Sequence, residues 1–187
     1  MARWEPDARG RLAQAALELY LERGFDQATV AEIAERAGLT ERTFFRHYGD
    51  KREVLFGGQE ALHELISKTI AEQPDSAAPM AAMGAALTAF AEQLAQRRDF
   101  ARQRQIVIDA NASLQERELI KLTSLAATAA SALRDRSVTE PAASLAAEAG
   151  VAAFRIAFAR WIQAEDRELT EFVTEALQVL ETVTAGR

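Results

Sequence analysis

The chain has 187 residues, 49% of them apolar and 27% charged, with 9 glycines, 4 prolines and no cysteine. That length and apolar content suffice for a buried core in one or two domains and exclude a disordered or fibrous chain, while the missing cysteine excludes disulfide scaffolds, thiolate metal sites, iron–sulfur clusters and thiol catalysis. The formal net charge is −6, yet residues 1–52 carry 9 basic and 9 acidic groups, so all the excess acid lies beyond them and the two parts suit different partners.

Residues 1–7 hold no apolar run of the kind a secretory signal needs, and the longest alanine-rich stretch, around 80–91, falls short of about 18 residues. A cytoplasmic chain without membrane contact is expected.

Apolar side chains at Leu12, Ala15, Ala16, Leu19 and Tyr20 repeat with helical spacing and Gly24 supplies a stop, which predicts a first helix from about residue 7 to 23. Thr29, Val30, Ala31 and Glu32 form a T-x-x-E capping box, in which the hydroxyl and the carboxylate satisfy each other's backbone donors. A second helix of about two turns therefore starts at Val30, buries Ile33, Ala34 and Ala37, and ends at Gly38. Thr40 caps a third short helix reaching about Tyr48, with Phe44 and Tyr48 inward and Arg42, Phe45 and Arg46 outward.

The D-x-x-E sequence from Asp50 to Glu53 predicts a fourth, longer helix carrying Val54, Leu55, Leu62, Leu65, Ile66 and Ile70 and ending before Pro74, with Gly57 and Gly58 as a soft spot. After a turn-rich linker at 74–79, further helical patterns lie near 80–97, 99–110, 114–136, 141–164 and 168–184. No alternating run with hairpin chemistry and no long repeat is present, so the predicted class is all-α.

Two short helices joined by a tight glycine turn, with longer helices around them, form a helix-turn-helix, whose second helix enters the DNA major groove. Residues 40–52 hold four basic groups against Glu41 and Asp50, a local positive field inside an acidic protein. As an enzyme the chain is poorly equipped: it has only His47 and His63, and no metalloprotease, nucleophile-elbow or phosphate-loop motif. Glu60 and His63 lack a second E-x-x-H to complete a carboxylate metal site, so neither a metal nor a cofactor is expected. The alternatives are a helical interaction protein that binds no DNA, which would not need a two-turn helix followed by glycine and a basic outward face, or an enzyme.

From residue 13 to Phe25, and then from Thr29 through Lys51, the chain resembles the TetR family of transcriptional regulators. The resemblance implies a three-helix DNA-binding domain at residues 1–50 and a helical effector-binding and dimerisation domain at 51–187. It also implies a homodimer on a palindromic double-stranded operator, released by a small molecule, as a ligand-responsive repressor. By position, Thr29 and Thr40 would cap their helices and touch phosphate, Arg42 and Thr43 would reach bases or phosphates, and Lys51 would hold a phosphate. Arg46 and His47 complete the basic face, and Arg3 and Arg9 are candidates for a minor-groove arm. Phe45 departs from the family's usual tyrosine, so the phosphate hydrogen bond of that hydroxyl is lost and a sugar or thymine methyl is what it can pack against.

In the C-terminal part, residues 151–162 are apolar nearly all round, and the last helix has a broad apolar face. Together they suit a dimeric four-helix bundle built on Phe154, Phe158, Trp161, Val173, Leu177 and Leu180, the alternative being that both helices complete the monomer core. Met83, Leu87, Phe90, Leu94, Phe100, Gln103 and Ile106 form an apolar and aromatic set that is either a candidate pocket for a largely apolar effector or ordinary core packing. Arg155, a guanidinium within an apolar helix, is expected to need an internal acid or an anionic ligand head group.

Overall fold

The computed structural model describes residues 7–185, and Arg3 lies outside them. Among the described residues all regular structure is helical: α1 (Ala8–Arg23), α2 (Val30–Arg36), α3 (Glu41–His47), a 3-10 turn (Glu53–Phe56), α4 (Gln59–Ala71), α5 (Pro79–Ala95), α6 (Arg98–Asp109), α7 (Ala112–Asp135), α8 (Ala142–Trp161) and α9 (Leu169–Thr184). The all-α class is the one the chain adopts.

The fourth helix differs from expectation. Asp50 does cap, its Oδ1 accepting from the backbone N–H of Arg52 at 2.8 Å and of Glu53 at 3.0 Å, but it opens only one 3-10 turn, which buries Val54, Leu55 and Phe56. Gly57 is extended and Gly58 sits at φ +86°, a left-handed conformation that costs glycine little, before α4 starts afresh at Gln59.

The chain forms two compact units. The first comprises residues up to 57 together with 102–118; the second comprises 58–101 and the residues from 119 onward. The division expected from the sequence fell after residue 50, whereas the first unit also takes in the 3-10 turn and the elbow between α6 and α7. In it, α1 packs against α2, α3 and the 3-10 turn, with Leu12, Leu17, Leu19, Ile33 and Phe44 fully enclosed.

Two arginines fasten the elbow onto the first unit's core. Arg104, with 19% of its side chain exposed, donates to the carbonyl of Leu55 at 2.7 Å, lies 4.9 Å from the Phe56 ring centroid and pairs with Glu118 at 3.0 Å; Arg117 pairs with Glu53. Burial pushes the Arg104 guanidinium below its usual value, and Glu118 opposes that shift. Just before the 3-10 turn, Arg52 pairs locally with Asp50 at 2.7 Å. Burial raises the Asp50 carboxyl, but hydrogen bonds from the Arg52 side chain and from the backbone of Glu53 and Arg52 win and hold it below the usual range.

In the second unit α5 is central, packing on α4, α8 and α9, while α8 also packs on α9. The core runs through Ile66, Ile70, Met83, Leu87, Leu133 and Trp161. Gly150 permits the closest approach: a Cβ there would stand 2.4 Å from Cγ of Met83. The Arg98 guanidinium closes the end of α8 by donating to the carbonyls of Trp161 at 3.1 Å and Glu165 at 2.9 Å, and to that of Ala164, while lying 5.1 Å from the Trp161 ring centroid. One helix among the described residues, α8, is long and apolar enough to cross a membrane by length and composition, and nearly half of it is buried inside the unit, as the core helix it is.

Candidate nucleic-acid interface

The geometry of α2 and α3 follows from short-range chemistry. Thr29 Oγ1 accepts from the Glu32 N–H at 3.2 Å, and the Glu32 carboxylate accepts from the Thr29 N–H at 3.0 Å and from its hydroxyl at 2.9 Å. The capping box is thus complete, and these bonds hold the Glu32 carboxyl below its usual range. At the far end Gly38, at φ +66°, donates to the Glu35 carbonyl at 2.9 Å, and Leu39 donates to that of Ala34 at 2.8 Å. This is the Schellman arrangement, which stops α2 after two turns and turns the chain at once into α3. Thr40 Oγ1 then accepts from the Thr43 N–H at 3.2 Å to cap α3.

The faces of α3 are those the sequence predicts. Phe44 is fully enclosed and Tyr48 nearly so, the Tyr48 hydroxyl donating to the Arg9 carbonyl at 3.0 Å; Arg42, Phe45 and Arg46 are exposed. Elsewhere in the unit acids meet arginines: Arg36 grips Glu22 through two bonds of 2.6 and 2.8 Å, and Arg23 pairs with Glu32 at 2.7 Å. Arg42 and Arg46 have no ion pair with a described residue. Within α3 itself Glu41 is the one acid against Arg42 and Arg46, so the helix is locally positive in an acidic chain.

Several side chains are placed otherwise than the sequence suggested. Lys51 is half-buried rather than exposed: its ammonium donates to the carbonyls of Phe25 at 3.0 Å, Asp26 at 3.2 Å and Ala28 at 3.1 Å, and lies 4.5 Å from the Phe25 ring centroid. An ammonium has three protons, so all are spent on the loop between α1 and α2. The Lys51 carbonyl in turn accepts from the Tyr20 hydroxyl at 2.7 Å, and burial, then the charge of Asp50, pushes that phenol well above its usual range. Thr29 is exposed, but both its donors are taken by Glu32. Thr40 is exposed, Thr43 half-buried, and their hydroxyls lie 3.1 Å apart. His47 is half-buried, with Nε2 enclosed and without a hydrogen-bond partner among the described residues.

This arrangement meets two family models. Residues 12–57 match that of the bacterial regulatory proteins of the tetR family, and residues 77–185 match the MftR C-terminal domain of the TetR type. The chain belongs to the TetR family. Among its relatives is the HTH-type transcriptional regulator TcmR of Streptomyces glaucescens, 37% identical over 81 residues, which are 43% of this chain and only 36% of TcmR. Of solved structures, Thermus thermophilus FadR, a TetR-family transcriptional repressor in complex with lauroyl-CoA, has a TM-score of 0.56 at 23% identity over 92% of each chain. The SmeT–triclosan complex has a TM-score of 0.66 at 20% identity, covering 94% of this chain and 90% of SmeT. These likenesses are in fold.

In this TetR-family chain the expected effector and dimer residues fall into different environments. Met83 and Leu87 are fully enclosed; Phe90, Leu94 and Phe100 are half-buried, Phe90 stacking on Phe154 with centroids 4.8 Å apart. Gln103 and Ile106 are exposed, Ile106 by 62%. Arg155 is exposed as well, so its guanidinium stays in water and requires no internal acid. Of the expected dimer set, Phe154, Trp161 and Val173 lie in the core of the second unit, and Phe158, Leu177 and Leu180 are half-buried. The outward apolar side chains of α8 and α9 are instead Leu145, Ile156, Val179 and Val183, each more than half exposed. The ties of Arg104 and Arg117 were not visible in the sequence, because their partners lie 49 and 64 positions away.

Proposed function

We propose that this TetR-family regulator is a ligand-responsive repressor that binds a palindromic operator as a homodimer and is released by a small, largely apolar molecule. The observation that carries the DNA reading is the outward face of α3, where Arg42 and Arg46 stand exposed and unpaired among the described residues while acids hold neighbouring arginines. A guanidinium in that state offers a bidentate fork to guanine or phosphate at no cost in broken ion pairs. Thr40, which caps α3, and Thr43 flank it with hydroxyls that would meet phosphate. Lys51 and Thr29 are structural in this reading, holding the two short helices in place.

Tight operator binding asks for two reading helices spaced by at least one turn of DNA, about 34 Å. The outward side chains Leu145, Ile156, Val179 and Val183 support α8 and α9 as the dimer surface, in place of the side chains already used in the core. An apolar effector is favoured by the alanine-rich apolar core of the second unit and by the company of proteins solved with lauroyl-CoA and triclosan. A coupling of roughly 1–3 kcal/mol between effector and operator would change DNA affinity 5- to 150-fold.

The test is a footprint on the DNA flanking the chain's own gene, followed by titration of the protected duplex at several salt concentrations. A palindromic footprint, with affinity that falls as salt rises and drops in Arg42→Ala, is expected. Binding to no sequence, or binding indifferent to salt and to Arg42→Ala, overturns the reading.

A further inference from the structure

The outward face of α3 contains one side chain that charge does not explain. Phe45 is 55% exposed, between the exposed Arg42 and Arg46. It is not a mobile ring at large: it stands edge-on to the fully enclosed Phe44, with centroids 5.4 Å apart and planes at 80°. That contact gives the ring a preferred orientation before any partner arrives. It carries no hydroxyl, so it can neither donate to phosphate nor accept from a base. Covering that aromatic surface on docking is favourable, and among arginines the partner feature that can cover it is an apolar one.

Resting on the DNA-binding reading above, we infer that Phe45 is a specificity-determining residue that reads a pyrimidine 5-methyl group, so that each operator half-site has a required thymine beneath it. The major-groove edges of the four base pairs differ mainly in donors and acceptors; the thymine C5-methyl is the apolar feature among them. A ring on the face of an entering helix that cannot hydrogen-bond has that methyl as its base-edge partner. The flanking guanidiniums define the register by anchoring to guanine or phosphate on either side, and the ring, fixed by Phe44, selects among the bases in between. The same chemistry makes the site blind to cytosine but not to 5-methylcytosine, which carries its methyl at the same ring position.

The experiment starts from a duplex selected by the full chain out of a random pool. Each thymine of the half-site is then replaced by deoxyuridine, symmetrically in both halves, and affinity is measured for the wild type, Phe45→Leu and Phe45→Ala. Burying one methyl group corresponds to roughly a fourfold change in affinity, and two copies to about fifteenfold. One thymine position is expected at which uridine weakens wild-type binding by about that factor. Phe45→Leu, still apolar, keeps part of the discrimination, and Phe45→Ala loses it. At that position 5-methylcytosine binds better than cytosine. If no thymine methyl matters, or if the dependence survives in Phe45→Ala, the inference is wrong; a uniform loss on every duplex in Phe45→Ala would mean that the ring packs on sugar. In both cases salt-dependent binding through Arg42 persists, whereas a failure of the DNA reading itself would remove that too.

Discussion

Replacing Lys51 by methionine separates two employments of one side chain. Methionine keeps an unbranched apolar stem to lie on Phe25 but removes the ammonium that donates to the carbonyls of Phe25, Asp26 and Ala28 at 3.0–3.2 Å. A hydrogen bond to a charged group nets about 1.5–3 kcal/mol where it is buried. Here the lysine is only half-buried and the bond to Asp26 is exposed, so water recovers part of the loss and the expected total is about 2–4 kcal/mol. For a chain of this size that lowers Tm by roughly 4–16 °C. The assay is thermal unfolding of the full chain, with operator titrations over a range of salt well below the transition. If Lys51 fastens the loop, Tm falls and the slope of log affinity against log salt stays at the wild-type value. If it holds a phosphate, Tm is unchanged and the slope of a dimer falls by about 1.8, near 0.9 for each of two contacts. That second outcome would refute the reasoning.

Other substitutions test separate parts of the molecule. Gly150→Ala is expected to cost about 1–3 kcal/mol by overpacking against Met83, and Met83→Ala in the same chain should cost less than the two changes summed, as unfolding midpoints in urea would show. Arg104→Met should cost about 2–3 kcal/mol by leaving the Leu55 carbonyl without its donor and Glu118 without its counter-charge, and adding Glu118→Gln should recover part of it. The Glu32 carboxyl is held low by Thr29, so its contribution is fully present above the ordinary carboxylate value and is lost as pH falls through the lowered one. Tm followed from pH 6 to pH 3 should therefore drop less in Glu32→Gln than in the wild type. Ile156→Asp, on the outward face of α8, should give monomers by light scattering while leaving the helical circular dichroism intact; a dimer unmoved by it would place the interface elsewhere.

Where the sequence speaks locally it is legible in detail. The T-x-x-E box starts α2 at Val30 because its bonds span three residues, and Gly38 ends it because a left-handed backbone is cheapest there. Phe44 in and Arg42, Phe45 and Arg46 out follow from the period of the helix alone. Gly57 and Gly58 were a soft spot in the pattern, but that they would reduce Glu53–Phe56 to a 3-10 turn was not readable, since Arg104 and Arg117 brace that turn from far along the chain.

The amino-acid order by itself settled the all-helical class, the two short helices with their caps, and the basic outward face of the second, because each depends on neighbours within about four residues. The tertiary structure alone decided which apolar side of α8 and α9 is filled and which is left open: a helix apolar nearly all round has no phase of its own, and α5 chooses Phe154, Trp161 and Val173 for the core. It also decided the partners of Lys51, whose length and charge suit a phosphate and a carbonyl cluster equally, and which only the folded loop 23–26 positions upstream resolves.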